Sequence, residues 1–270
     1  MPYIDVGNGV NIFVRDLGRG RPIMLLHGWP ANHRIFEYHM MRLAERGYRV
    51  LAMDFRGFGL SDKPWEGNNY DAWAGDVGAV LQALDLRDVL LVGYSFGGAI
   101  AAHYLGTAQD PRVTKCALLA AAAPVAALTA PIKQIYDQLI TGLQGDSVKP
   151  MQHYMSSMLV AGTLSAAMMA WLVEQASQTA LWAAIRGLEE LRDRDLSDDL
   201  RAMPLPVKIL HGMLDATIPF PLAEEQKRLL PNATLIPIPN CDHAFIFEKK
   251  DQVVDELIDF AASPGTARAA

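Results

Sequence analysis

Between residues 89 and 102 the sequence leaves the backbone little choice. Val89-Leu90-Leu91-Val92 is a short, wholly apolar run, and Gly98-Ala99-Ile100-Ala101-Ala102 reads as the start of a helix. Only Gly93-Tyr94-Ser95-Phe96-Gly97 stands between them. A strand must therefore turn into a helix almost at once. Glycines flank Ser95 because a Cβ two residues before or after it would strike its neighbours in so tight a turn. A strand with no polar alternation is buried on both faces, as in a parallel sheet covered by helices.

The rest of the chain repeats that theme. Strands are expected at Val10–Arg15, Pro22–Leu26, Arg49–Met53 and Val113–Leu119, with helices at Arg34–Arg46, Ala72–Leu84 and Phe96–Gly106. Such alternation implies right-handed crossovers and a doubly wound, mostly parallel α/β sheet. It stops at Pro124. From 124 to about 200 the pattern is helical: Ile132–Leu143, Lys149–Val160, Ser165–Gln175 and Thr179–Leu191. Strands then return at Val207–Leu210 and Thr234–Ile238, with helices at Pro221–Leu230 and Lys250–Ala262. The expectation is one domain over residues 1–270, with residues 124–200 inserted as an all-helical cap over the carboxyl edge of the sheet, where loops converge.

Composition narrows the classes. The 270 residues are 51% hydrophobic and 20% charged, with a net charge of −6 and no Lys/Arg cluster, so neither nucleic acid nor an anionic membrane is an expected partner. The most apolar stretch, Cys116 to Leu128, is broken by Pro124 and too short to span a bilayer. Two cysteines, Cys116 and Cys241, read as free thiols. The start MPYIDVGNGV lacks a basic segment followed by an apolar one, so no secretory signal is expected, and the expected location is cytoplasmic.

A serine hydroxyl needs a base, itself oriented by a third group, to act as a nucleophile at neutral pH. Strand–turn–helix context makes Ser95 the candidate nucleophile. Of seven histidines, His243 lies in a loop after the last strand, where it can hang over the sheet edge beside Ser95. Asp215, in the His211-Gly212-Met213-Leu214-Asp215 run beyond a strand, is the candidate acid; Asp242 adjoins the histidine and is poorly placed to orient it. Two N–H groups are needed for an oxyanion. Phe96 supplies one, and Trp29 in His27-Gly28-Trp29-Pro30 the other, since Pro30 has no N–H. No metal-ligand cluster is visible, and no cofactor is expected.

These residues carry a resemblance. Over nearly its whole length the chain resembles the α/β-hydrolase superfamily, and most of all its cofactor-free haloperoxidase (perhydrolase), arylesterase and γ-lactamase group. The stretches are HGWP at 27–30, LAERGYRVLAMDFRGFGLSDKPW at 43–65, LVGYSFGG at 91–98, HGMLDATIP at 211–219 and CDHAF at 241–245. The resemblance implies an α/β-hydrolase fold, Ser95, Asp215 and His243 as triad, and Trp29 and Phe96 as oxyanion donors. Phe96 stands where many members of the group have Met, and Asp242 where Gly is commoner; neither change removes a reacting atom. Substrate contacts are expected from Pro30, Met155, Met158, Trp182 and Phe245, although the cap's methionines and tryptophans also suit ordinary helix packing. Pro30 restrains Trp29 and could aim its own carbonyl at an attacking peroxide.

Four functions compete: hydrolysis of esters, lactones or activated amides; interception of the acyl-enzyme by hydrogen peroxide; a hydroxynitrile-lyase type of proton transfer; and a non-catalytic ligand receptor. Dehalogenase and epoxide hydrolase chemistry would need a carboxylate at position 95. The expected partner is a small-molecule ester, lactone or amide, and assembly into a homo-oligomer stays open.

Overall fold

The computed structural model describes residues 2–123, 130–146, 149–157 and 164–263. Eight strands form one sheet: β1 (Tyr3–Asp5), β2 (Asn11–Gly18), β3 (Pro22–Leu26), β4 (Arg49–Met53), β5 (Val89–Tyr94), β6 (Val113–Leu119), β7 (Val207–Gly212) and β8 (Ala233–Ile238). Their order is β1-β2-β4-β3-β5-β6-β7-β8. β2 runs antiparallel to β1 and β4, and all other pairs are parallel. β5 lies inside the sheet between β3 and β6 and is buried along its whole length, which is why its sequence shows no alternation.

Body helices are α1 (Glu37–Glu45), α2 (Tyr70–Ala83) and α3 (Phe96–Ala108). Between β6 and β7 come α4 (Ala130–Gly145), α5 (Lys149–Ser157), α6 (Ala166–Ala176), α7 (Leu181–Asp193) and α8 (Ser197–Ala202), followed later by α9 (Phe220–Leu229), α10 (Phe245–Glu248) and α11 (Lys250–Ala262). Side-chain caps set several starts: Asn69 accepts from the Ala72 N–H ahead of α2, and Ser165 from Met168 ahead of α6. Four of the β6–β7 helices answer the helical pattern read between residues 124 and 200. α8 and the short β1 and α10 are additions that the pattern does not announce.

Two features tie the body together. Lys115 on β6 is fully buried, and its Nζ donates to the carbonyls of Phe260 (2.7 Å), Ala261 (3.2 Å) and Ser263 and to Ser263 Oγ (3.0 Å). A cation there offsets the negative end of α11. At the cap, the Ala180 N–H donates to the Gly57 carbonyl at 2.8 Å, joining the α6–α7 turn to the loop after β4. Among the described residues, no helix is long and apolar enough to cross a membrane.

Candidate active site

Because β3, β5, β7 and β8 are parallel, the loops beyond them open on one edge of the sheet. Ser95 is the single residue between β5 and α3, at φ 52° and ψ −118°. That conformation costs a non-glycine residue about 1–3 kcal/mol and has to be held in place. The Ser95 N–H donates to the Leu119 carbonyl, and the Ser95 carbonyl accepts from Gly98 and Ala122, each at 2.9 Å. Close approach explains the flanking glycines. A Cβ on Gly93 would lie 2.5 Å from the Gly97 carbonyl oxygen, and one on Gly97 2.3 Å from that of Leu26.

The structure brings three of the expected side chains into one line. His243 Nε2 lies 3.0 Å from Ser95 Oγ, and His243 Nδ1 lies 2.7 Å from Asp215 Oδ2. Asp215 and His243 are buried, and Ser95 keeps 6% exposure. The second oxygen of Asp215, Oδ1, accepts the N–H groups of Thr217 (2.9 Å) and Ile218 (2.7 Å), so the carboxylate is fixed in rotation. Tyr94 donates its hydroxyl to the His243 carbonyl at 3.0 Å, and its ring lies against the imidazole. His211 Nε2 donates to the Ile218 carbonyl at 2.7 Å and stands 3.4 Å from Asp215 Oδ2. Burial holds His211 below the usual imidazole range, so it stays uncharged at neutral pH beside the carboxylate. Asp242 Oδ1 instead accepts the Ala244 N–H at 2.8 Å.

Phe96 follows the serine directly, and Trp29 follows Gly28 in the loop that approaches it. The loop after β3 comes so close that a Cβ on Gly28 would sit 3.1 Å from Ser95 Cβ. Among the described residues, the N–H groups of Trp29 and Phe96 have no hydrogen-bond partner. Phe96 is locked by the rings of Phe55, Phe58, Tyr70 and Trp73. Behind the Trp29 loop, His27 Nδ1 meets the Gly28 carbonyl at 2.9 Å and Nε2 accepts the Phe55 N–H at 3.2 Å. His33 N–H and Nδ1 both bind Asp54 Oδ1, at 2.6 and 2.9 Å.

The expected substrate contacts divide. Met155 shares a small void with Gly28, Trp29 and Tyr94. Pro30 is buried in the same loop, but its carbonyl accepts the Thr179 hydroxyl at 2.7 Å. It is therefore engaged by the cap, which corrects the idea that it points free toward a peroxide. Phe245 is enclosed in the first turn of α10. Trp182 is engaged elsewhere: its indole donates to the Pro64 carbonyl at 2.9 Å and its ring meets exposed Trp65, in a charged cleft with Arg186 and Glu189. Met158 lies outside the described residues.

One residue beyond Asp215 begins a cleft of about 670 Å³ between α4, α5 and the Ala216–Thr217 segment. Ile135, Tyr136, Leu139, His153 and Tyr154 line it, and the Tyr154 ring meets Trp29 edge-on at 5.1 Å. Sequence reading missed this wall, since its tyrosines carry no motif. It also missed Tyr94, which occupies a variable position of the Gly-x-Ser-x-Gly pattern. Among the described residues, no group of three or more His, Cys, Asp or Glu is placed to hold a metal ion.

A parallel sheet with a serine elbow, and an acid and a histidine on later loops, defines the α/β-hydrolase class. The family model for the alpha/beta hydrolase fold matches residues 21–250, and the chain belongs to that family. It is 37% identical to the AB hydrolase superfamily protein YisY of Bacillus subtilis (strain 168), over 97% of this chain and 99% of the relative. It is 32% identical to a non-heme haloperoxidase of Rhodococcus erythropolis, over 97% of this chain and all of the relative. Among solved structures it superposes on an esterase from Exiguobacterium antarcticum with a TM-score of 0.92, at 32% identity, covering 97% of this chain and 99% of the other.

Proposed function

We propose that this chain is a serine hydrolase that cleaves carboxylic esters, lactones or activated amides through an acyl-Ser95 intermediate. The observation that carries the reading is the continuous Asp215–His243–Ser95 line, with contacts of 2.7 and 3.0 Å. Ser95 Oγ attacks the substrate carbonyl carbon while its proton passes to His243 Nε2. Asp215 stabilises the imidazolium, and the N–H groups of Trp29 and Phe96 receive the oxyanion. Collapse breaks the bond to the leaving group, which takes the proton from His243. Water, deprotonated by the same imidazole, then attacks the acyl carbon and releases the acid, returning the proton to Ser95.

Hydrogen peroxide replaces water in a second outcome, forming the acyl–OOH bond as the acyl–Ser95 bond breaks. Similarity to a non-heme haloperoxidase favours this side activity. The cleft beside Asp215 has the size of a small-molecule site and an aromatic and aliphatic wall, which suits an apolar acyl or leaving group. A fluorophosphonate should label wild-type enzyme at Ser95. Ser95→Ala should lose the label and lower kcat on an aryl acetate by about 10⁵–10⁶ while staying folded. Turnover within about tenfold of wild type in the folded variant would overturn the reading. A lyase would show no acyl-enzyme burst, and a receptor no label.

A further inference from the structure

The oxyanion donor Trp29 is held from two sides, and one of them is the cap. From the body, His27 and the Ala31 N–H (2.9 Å) both meet the Gly28 carbonyl. From the cap, the segment Gln175–Ala184 supplies four further hydrogen bonds to the loop. Thr179 Oγ1 donates to the Pro30 carbonyl at 2.7 Å. Asn32 Nδ2 donates to Gln175 Oε1 and Gln178 Oε1, each at 3.2 Å. The Trp29 indole donates to the Ala184 carbonyl at 2.9 Å. These partners lie about 150 residues away in sequence, and Gln175 is wholly buried although it is a polar side chain outside the triad.

A buried amide and a hydroxyl aimed at two carbonyl and amide groups of one short loop do more than close a roof. Thr179 grips the carbonyl of the Pro30–Ala31 peptide, the N–H of that same peptide donates to the Gly28 carbonyl at 2.9 Å, and the Gly28 carbonyl belongs to the peptide that carries the Trp29 N–H. Releasing that grip loosens the Pro30–Ala31 peptide and with it the Ala31 hold on the donor's plane, and an oxyanion donor acts only within a few tenths of an ångström of its working distance. We propose that Thr179, supported by Gln175 and Gln178, is a positioning residue that sets the aim of the Trp29 N–H, so that the α6–α7 turn is part of the oxyanion device. The proposal rests on the acyl-Ser95 reading above.

Thr179→Val removes the hydroxyl and keeps the shape, whereas Thr179→Ser keeps the hydroxyl. On a short aryl ester, Thr179→Val should lower kcat about tenfold, a barrier change of about 1.4 kcal/mol, with KM nearly constant. Inhibition by a trifluoromethyl ketone, whose hemiketal oxyanion occupies the same donors, should weaken in parallel. Thr179→Ser should restore both. Wild-type kcat in Thr179→Val, or a loss shared by KM and not rescued by Ser, overturns the proposal. Should Thr179→Val fail to fold, Gln178→Met, which cuts one of the two cap bonds to Asn32 at a half-buried position, decides it by the same kcat and inhibitor readouts. Failure of wild-type enzyme to take the fluorophosphonate would instead remove the acyl-Ser95 reading itself, which separates the two.

Discussion

Lowering the pH from 7 to 5 should weaken this protein through two enclosed imidazoles. Burial holds both His27 and His39 at about 4, against 6.5 for a free imidazole. For His27 the geometry shows why: Nε2 accepts the Phe55 N–H at 3.2 Å, so a second ring proton would displace that bond. In the unfolded chain both rings take up a proton below about pH 6.5, whereas the folded chain resists until about pH 4. The unfolded state therefore binds more protons across that window. Stability is intact above it and falls as the pH drops through it. Linkage with these values gives a loss of about 2 kcal/mol per imidazole between pH 7 and pH 5. Urea unfolding of wild type and His39→Leu at the two pH values isolates one ring, because every other titrating group is common to both. The loss should be smaller by about 2 kcal/mol in the variant. An equal loss in both proteins would refute the assignment of His39 as a ring kept neutral by burial.

Three further outcomes test other parts of the structure. Asp215→Asn should preserve the site's shape but favour the wrong imidazole tautomer, lowering kcat by up to about 10⁴, whereas Asp242→Asn should cost far less. A reversed ranking in steady-state kinetics would move the acid to Asp242. Pro30→Leu frees the backbone of the Trp29 loop and should lower the ratio of peracid to acid formed from an acetyl ester and peroxide severalfold, about 1 kcal/mol in barrier difference; an unchanged ratio would make Pro30 purely structural. Lys115→Met strips the last carbonyls of α11 of their charged donor and should cost about 2 kcal/mol in thermal or denaturant unfolding. A melting curve that superposes on wild type would show that water serves those carbonyls equally well.

Much of this architecture is legible in the chain because it is governed by local rules. β3, β4 and β6 and helix α11 begin and end where the apolar runs and their flanking breakers place them. The elbow is legible because its glycines answer to contacts within a few residues. What the sequence conceals is set by partners far away. β1 has three residues and exists by pairing Tyr3–Asp5 with Ile12 and its neighbours. α8, at six residues, is too short for a periodic signal. Trp182 looks like a pocket residue by composition, but its orientation is decided by the Pro64 carbonyl, 118 residues earlier. Likewise, nothing in a Ser-Gln-Thr turn announces a bond to the loop after β3.

The seam at Ser95 has a consequence for how such a molecule can be altered. β5 ends at Tyr94 and α3 begins at Phe96, so strand and helix share no spare residue. Inserting or deleting one residue there would turn α3 by about 100° and swing the Phe96 N–H to another side of the helix. That junction leaves room for exchange of side chains only at Tyr94 and Phe96, between glycines that admit none, and for no change of length. The stretch between β6 and β7 obeys the opposite rule, since residues added among its helices shift no strand against its neighbour. Heritable novelty therefore has two separate currencies in this chain, spelling at the elbow and length in the cap. A library that varies loop length over residues 124–164, short of the segment that anchors the Trp29 loop, and only side-chain identity at residues 94 and 96 would follow the grain of the fold.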